Sequence, residues 1–246
     1  NHVMQLMALT AIEPPVALEA ETFRDKKVDI LRAVRPIDRN VRGQYAGNGD
    51  VRAYRQEENV PEGSNTATFA ALRLFIDNWR WKNVPFYLRS GKRMATKSTS
   101  IAIEFKQVPH LMFPVKEGEQ IPPNVLHLCI QPNEGINLRL QTKQPGAGMA
   151  THSADIDYDY AQDFEQQDLP NAYERLLLDA IQGDPTLFTR ADEIELAWRI
   201  IDPILEDWQD EDAPPCHLYP PGSWGPEAAD RFIKQDGRKW HYGCGE

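Results

Sequence analysis

The sequence predicts an α+β protein, and three observations carry that prediction. Apolar residues recur at helical spacing near both ends of the chain. The middle third alternates with a period of two, and Pro132-Asn133-Glu134-Gly135 joins two of its alternating runs as a turn. Strands grouped together and joined by short turns imply antiparallel pairing, with the helices segregated from them.

The elements follow in order. Val3, Met4, Met7, Ala8, Ala11 and Ile12 form one helical stripe, ended by Pro14 and Pro15. Phe23, Val28, Ile30 and Leu31 mark a second helix from about Ala20 to Val34, with a highly charged surface and Pro36 beyond it. Residues 40–65 are rich in Gly, Asn and charge and read as an exposed loop. Thr66 to Asp77 mixes alternation with a short apolar run, and Ile101, Ile103 and Phe105 share one face of a strand. Asn124 to Gln131 and Ile136 to Gln141 flank the turn as a hairpin, and Ala154, Ile156 and Tyr158 suggest one more strand. Helices return over Asn171 to Gln182, stopped by Gly183, and over Arg190 to Trp208, where Pro203 predicts a kink or break. Residues 214–226 read as loop, and Ala228 to Ile233 as a short helix.

Composition bounds the function. The chain has 246 residues, 41% of them hydrophobic and 26% charged, which suits a globular protein with a buried core. Its net charge of −10 argues against a nucleic-acid binder, because neutralising phosphates requires a basic surface. No stretch reaches the roughly 18–20 consecutive apolar residues of a membrane helix. Cys129, Cys216 and Cys244 are odd in number and form no CxxC pair, which fits a reducing cytoplasm better than a disulfide scaffold. A redox pair of Cys216 with Cys244 is the alternative. The chain opens at Asn1-His2 inside a helical pattern and without Met, which reads as a fragment.

Neither a P-loop nor a GxGxxG turn is present, and no HExxH or paired Cys/His set suggests a metal. His2 opens the first helix; it reads either as a general base or as a packed or exposed terminal histidine. Arg89-Ser90-Gly91-Lys92-Arg93, with Lys97 beyond, concentrates positive charge in an acidic chain. Lysines there could hold a dianionic phosphate as mobile point charges, with Gly91 allowing a tight turn or a ligand's close approach. The plainer reading is a solvated hairpin. Trp79, Trp81 and Trp224 look like core or interface anchors.

These residues resemble a known family. Trp79 through Arg93, WRWKNVPFYLRSGKR, resembles the RWxxVPFYLRxGKxL segment of glucose-6-phosphate dehydrogenases. Asn1-His2 with Gln5 is similar to the family's QNHxxQ helix. The likeness continues through Lys27-Val28, residues 35–37, Val41 to Tyr45, Gln131 to Gly135, Ala172 to Leu177 and Gly222 to Pro226, nearly end to end.

The resemblance implies a large, mostly antiparallel sheet with helices packed on one face, with residues 1–246 forming one substrate and dimerisation domain. It implies oxidation of D-glucose 6-phosphate at C1 to 6-phosphogluconolactone, with NADP+ as acceptor and NAD+ accepted by some members. By resemblance His2 is the general base, Lys92 and Lys97 contact the substrate, and Gln131 lies at it. The family's N-terminal Rossmann domain is not in this sequence, so the NADP site and the acidic partner that orients the base are expected outside it. The fragment alone is then expected to be inactive. Ser98, Ala102 and Cys129 stand where some members carry basic residues for a second, structural NADP+, so that site is not expected. A homodimer or homotetramer is expected. The alternative from a different class is a non-catalytic sugar-phosphate-binding or oligomerisation module.

Overall fold

The structure, a computed structural model, describes residues 2–110, 121–146, 148–164 and 172–242. The chain divides into two compact units, Asn1–Thr96 with Asn171–Trp240, and Lys97–Pro170 with His241–Glu246. The α+β class holds.

The first unit carries a four-stranded sheet in the order β3-β2-β1-β8. Its strands are β1 (Arg39–Tyr45), β2 (Phe69–Phe75), β3 (Pro85–Gly91) and β8 (Cys216–Tyr219). Strands β1, β2 and β3 pair antiparallel, and β8 joins β1 in parallel. Strand β2 is central and, Arg73 apart, apolar on both sides. Phe69 and Ala71 pack with Tyr45, Tyr219 and the α6 residues Phe232 and Ile233 (α6, Glu227–Lys234). Leu72 and Leu74 project the other way, as alternation requires. Leu74 meets Met4, Met7 and Ala11 of α1 (His2–Ala11) and Ile30 and Leu31 of α2 (Ala20–Ala33). Leu72 meets Ile204 and Trp208 at the end of α5 (Ala191–Asp207). Helices therefore cover both faces of this sheet. In α4 (Ala172–Gln182), Tyr173, Leu177 and Ile181 form an exposed apolar stripe.

The second unit is a four-stranded antiparallel meander, β4 (Thr99–Glu104), β5 (Val125–Gln131), β6 (Gly135–Lys143) and β7 (Thr151–Asp159), followed by the short α3 (Tyr160–Asp163). Its register pairs Ile101 with Leu128, Leu128 with Ile136 and Ile136 with Tyr158. One face is thus apolar, ending in exposed Ile136, Ile156 and Tyr158. The opposite face is polar: Ala102 pairs with His127, His127 with Asn137, and Arg139 with Asp155.

Several sequence expectations are corrected. Residues 40–45 are strand, not loop, and Arg42, Gly43, Gln44 and Tyr45 are buried. Their polarity misled because the protein itself satisfies it: the Arg42 guanidinium donates to the carbonyls of Trp208 at 2.6 Å and Pro214 at 2.9 Å. Residues 216–219, expected as loop, form β8. Residues 89–91, read in the sequence as the start of a basic segment or solvated hairpin, end strand β3, which begins at Pro85. Pro203 lies within a continuous helix. Trp81 is an anchor, its indole donating to the Ala11 carbonyl at 2.8 Å, whereas Trp79 is fully exposed. Cys129 is disulfide-bonded, which cysteine spacing along the chain did not suggest. Cys216 is a free thiol that burial pushes up in pKa, and Cys244 lies outside the described residues.

Candidate functional site

The basic segment is built on the end of β3. Gly91 closes that strand opposite Phe69, and a Cβ there would lie 2.5 Å from the Met94 sulfur and 2.9 Å from the Phe69 ring. The close approach that glycine permits is therefore to the protein's own core. Beyond it the backbone is held at every step. The Lys92 amide donates to the Thr68 carbonyl at 2.8 Å, and the Tyr219 hydroxyl donates to the Lys92 carbonyl at 2.8 Å. The Gly222 amide donates to the Arg93 carbonyl and the Ala95 amide to the Ser223 carbonyl, both at 2.8 Å. Arg93 itself sits at φ 53°, a left-handed conformation that the surrounding bonds hold in place.

Tyr219 is fully buried, and burial pushes its phenol up, so the proton stays on the oxygen. The Thr68 hydroxyl lies 3.0 Å from the Tyr219 hydroxyl. Thr68 and Tyr219 thus brace the Lys92 backbone from below. Sequence reasoning missed both, and no local signal marks them, because Tyr219 is 127 residues away from the carbonyl it holds.

The cluster's cations have different surroundings. The Arg89 guanidinium lies over the Trp240 and Trp224 rings, 4.7 and 5.3 Å from their centroids. Arg93 faces Glu57 at 3.6 Å. Lys92 is exposed, and among the described residues no carboxylate lies within ion-pairing distance of it. A rigid backbone carrying one free ammonium is suited to gripping an anion.

His2 occupies the first turn of α1, in the same unit as Lys92, and is exposed. One turn further on, Gln5 reaches a buried ion pair. The Lys27 ammonium lies 2.9 Å from Glu193 Oε2 and 3.4 Å from Gln5 Oε1, and the Gln5 amide donates to Glu193 Oε1. Lys97 and Gln131 belong to the second unit. Lys97 is exposed two residues before β4, and Gln131 is the exposed last residue of β5, paired in register with Thr99. The structure thus groups His2 with Lys92 in one unit, and Lys97 with Gln131 in the other.

Among the described residues, one strand leads to an α-helix through a glycine-bearing turn: β8 passes to α6 by way of Gly222 and Gly225. Its Gly225, at φ 109°, has its Cβ position 2.4 Å from the Phe69 ring. The turn is closed against the core instead of opening to a pyrophosphate, and it does not fit a dinucleotide. Among the described residues no group of three or more His, Cys, Asp or Glu could hold a metal ion. Nor is any of their helices long and apolar enough to cross a membrane.

The polar face of the second unit holds one further cluster. His127 is buried, and among the described residues its Nδ1 has no hydrogen-bond partner; its ring lies 5.4 Å edge-to-face from His241, whose Nε2 lies 3.4 Å from Glu104.

Residues 1–241 match the family model described as glucose-6-phosphate dehydrogenase, C-terminal domain. The chain is 44% identical to the glucose-6-phosphate 1-dehydrogenase of Mycolicibacterium smegmatis, over 99% of this chain and 50% of that protein. It is 43% identical to the one from Chlamydia pneumoniae, over 98% of this chain and 48% of that protein. The chain thus spans about half the length of the curated relatives it matches. Among solved structures it resembles a glucose-6-phosphate dehydrogenase in complex with its substrate glucose-6-phosphate. That match has a TM-score of 0.88 and 34% identity, covering 98% of this chain and 50% of the other. The Mycobacterium avium glucose-6-phosphate 1-dehydrogenase gives a TM-score of 0.82 and 37% identity, over 100% of this chain and 50% of that one.

Proposed function

This chain belongs to the glucose-6-phosphate dehydrogenase family and is its C-terminal portion, and from that premise we propose that it is the substrate and dimerisation half of an enzyme oxidising D-glucose 6-phosphate at C1. The product is 6-phosphogluconolactone and the acceptor NADP+, whose site belongs to the remaining half of the full-length enzyme. This half alone does not turn over.

The observation that carries the reading is the braced Lys92: a fixed backbone presenting an exposed ammonium. Ammonium groups neutralise the sugar phosphate, and that binding energy orients C1 for reaction. Lys97 and Gln131 contact the substrate in the same reading. His2 is the general base that takes the C1 hydroxyl proton as the anomeric carbon becomes a lactone carbonyl; an imidazole is suited to that transfer. The enzyme is a homodimer or homotetramer, a reading supported by the exposed apolar Ile136, Ile156 and Tyr158 on the second sheet.

Steady-state kinetics of the full-length enzyme test the proposal. His2→Asn lowers kcat by about 10²–10⁴-fold, the range of general-base catalysis, while substrate still binds. Lys92→Ala chiefly raises KM for glucose 6-phosphate. Near-normal turnover in the first variant would remove His2 from the mechanism, and an unchanged KM in the second would reduce the basic segment to plain surface.

A further inference from the structure

We infer that Gln5, Lys27 and Glu193 form a positioning device that sets the rotation and height of the first turn of α1, and so the aim of His2; this rests on His2 being the base. Three observations carry it.

The first is placement. His2 and Gln5 are three residues apart on one helix, so they lie on neighbouring turns of the same side. Gln5 is gripped at both ends of its amide, with the oxygen facing the Lys27 ammonium and the nitrogen donating to Glu193.

The second is burial. The side chains of Lys27 and Glu193 are 4% and 0% exposed, which makes them a fully desolvated pair. Desolvating two charges costs about as much as their attraction returns, so such a pair is weak evidence of a stability role. What apolar packing cannot supply is the directional bond from the Gln5 amide to Glu193 Oε1.

The third is redundancy. Helix α1 already has an apolar stripe, Met4, Met7 and Ala11, holding it to Leu74, Ile30 and Leu31. Apolar contact is non-directional and leaves a short helix free to roll or slide by about an ångström. The amide locked between an ammonium from α2 and a carboxylate from α5 removes that freedom.

The experiment uses the full-length enzyme. Gln5→Met cuts α1 from the pair while leaving the Lys27–Glu193 ion pair in place. It is compared with His2→Asn and with the triple apolar variant Gln5→Leu/Lys27→Met/Glu193→Met, which removes the polar core altogether and remains readable should the single variant fold poorly. Each is assayed for kcat, for KM of glucose 6-phosphate, for the isotope effect with substrate deuterated at C1, and for thermal unfolding.

Positioning predicts that kcat falls on the order of a hundredfold, the cost of an ångström of misplacement. KM stays within about twofold and the isotope effect rises as the chemical step becomes limiting. These changes appear well below the unfolding temperature. Wild-type kcat in folded Gln5→Met or in the folded triple variant, with only the melting temperature moved, would reduce the device to structure. If His2→Asn loses turnover while Gln5→Met keeps it, this inference alone falls. If His2→Asn keeps turnover, the base assignment falls and takes the inference with it.

Discussion

Tyr219→Phe removes one oxygen and leaves the aromatic ring in place, so it isolates the brace under Lys92. The ring stays tilted against Phe69 at 5.6 Å and edge-on to Tyr45 at 6.5 Å. The variant loses the 2.8 Å bond to the Lys92 carbonyl and the 3.0 Å contact with the Thr68 hydroxyl. Thr68 keeps its bond from the Tyr45 amide at 3.0 Å, so the chief orphan is the Lys92 carbonyl. A lost hydrogen bond costs about 1 kcal/mol, and a buried group left unpaired costs roughly 1–3 kcal/mol, so about 2 kcal/mol is expected in all. For a full-length enzyme about twice the length of this chain that corresponds to a melting temperature lower by about 2–4 °C. The remaining bonds at Thr68, Gly222 and Ser223 keep the turn folded, so Lys92 loosens without being lost. Roughly 1 kcal/mol of that loosening reaches the substrate, a rise in KM of about fivefold. Differential scanning calorimetry and initial-rate kinetics on the full-length enzyme read both effects. A variant as stable as wild type, with KM unchanged, would refute the idea that a buried phenol holds the basic turn in place.

Two further outcomes follow from the packing. Gly225→Ala puts a methyl group into the Phe69 ring at a position of φ 109°. Overpacking costs about 1–3 kcal/mol and left-handed strain about 1–3 kcal/mol more, so urea unfolding should show a loss of at least 2 kcal/mol, and an unchanged midpoint would contradict the contact. His127 titrates below its ordinary value of 6.5, chiefly because burial disfavours the charged form, with His241 and Arg139 adding repulsion against the weaker pull of Asp155. A histidine whose folded pKa is depressed binds fewer protons folded than unfolded, so stability is full above the unfolded value and declines as pH falls through about 6.5. Melting curves between pH 7.5 and 5.5 should steepen this decline in wild type relative to His127→Leu, and parallel curves would place the proton elsewhere.

The helices were legible where burial follows amphipathic spacing. Met4, Met7, Ala8 and Ala11 are all buried, as the stripe predicted. The hairpin of β5 and β6 was legible because its turn lies between its partners in sequence. What stayed hidden was polarity satisfied at long range. Strand β1 read as loop because Arg42 and Gln44 are buried against carbonyls from distant segments, Trp208 and Pro214 for one, Ser64 and Thr66 for the other. Strand β8 is four residues long and pairs with a strand some 170 residues earlier, which no local pattern reveals. At the site, local motifs marked Lys92 and His2, but not the groups that hold them. Tyr219 and the Lys27–Glu193 pair act through contacts that exist only once the chain has folded.

Strand β2 has no side to spare. Phe69 and Ala71 belong to one hydrophobic centre, and Leu72 and Leu74 to the centres behind the sheet. Adding or deleting a single residue between Thr68 and Phe75 would trade these occupants across the sheet, handing each centre side chains shaped for the other. Related chains should therefore vary in length in the loops before and after this segment and keep its residue count fixed, since such a change would scramble two interiors at once.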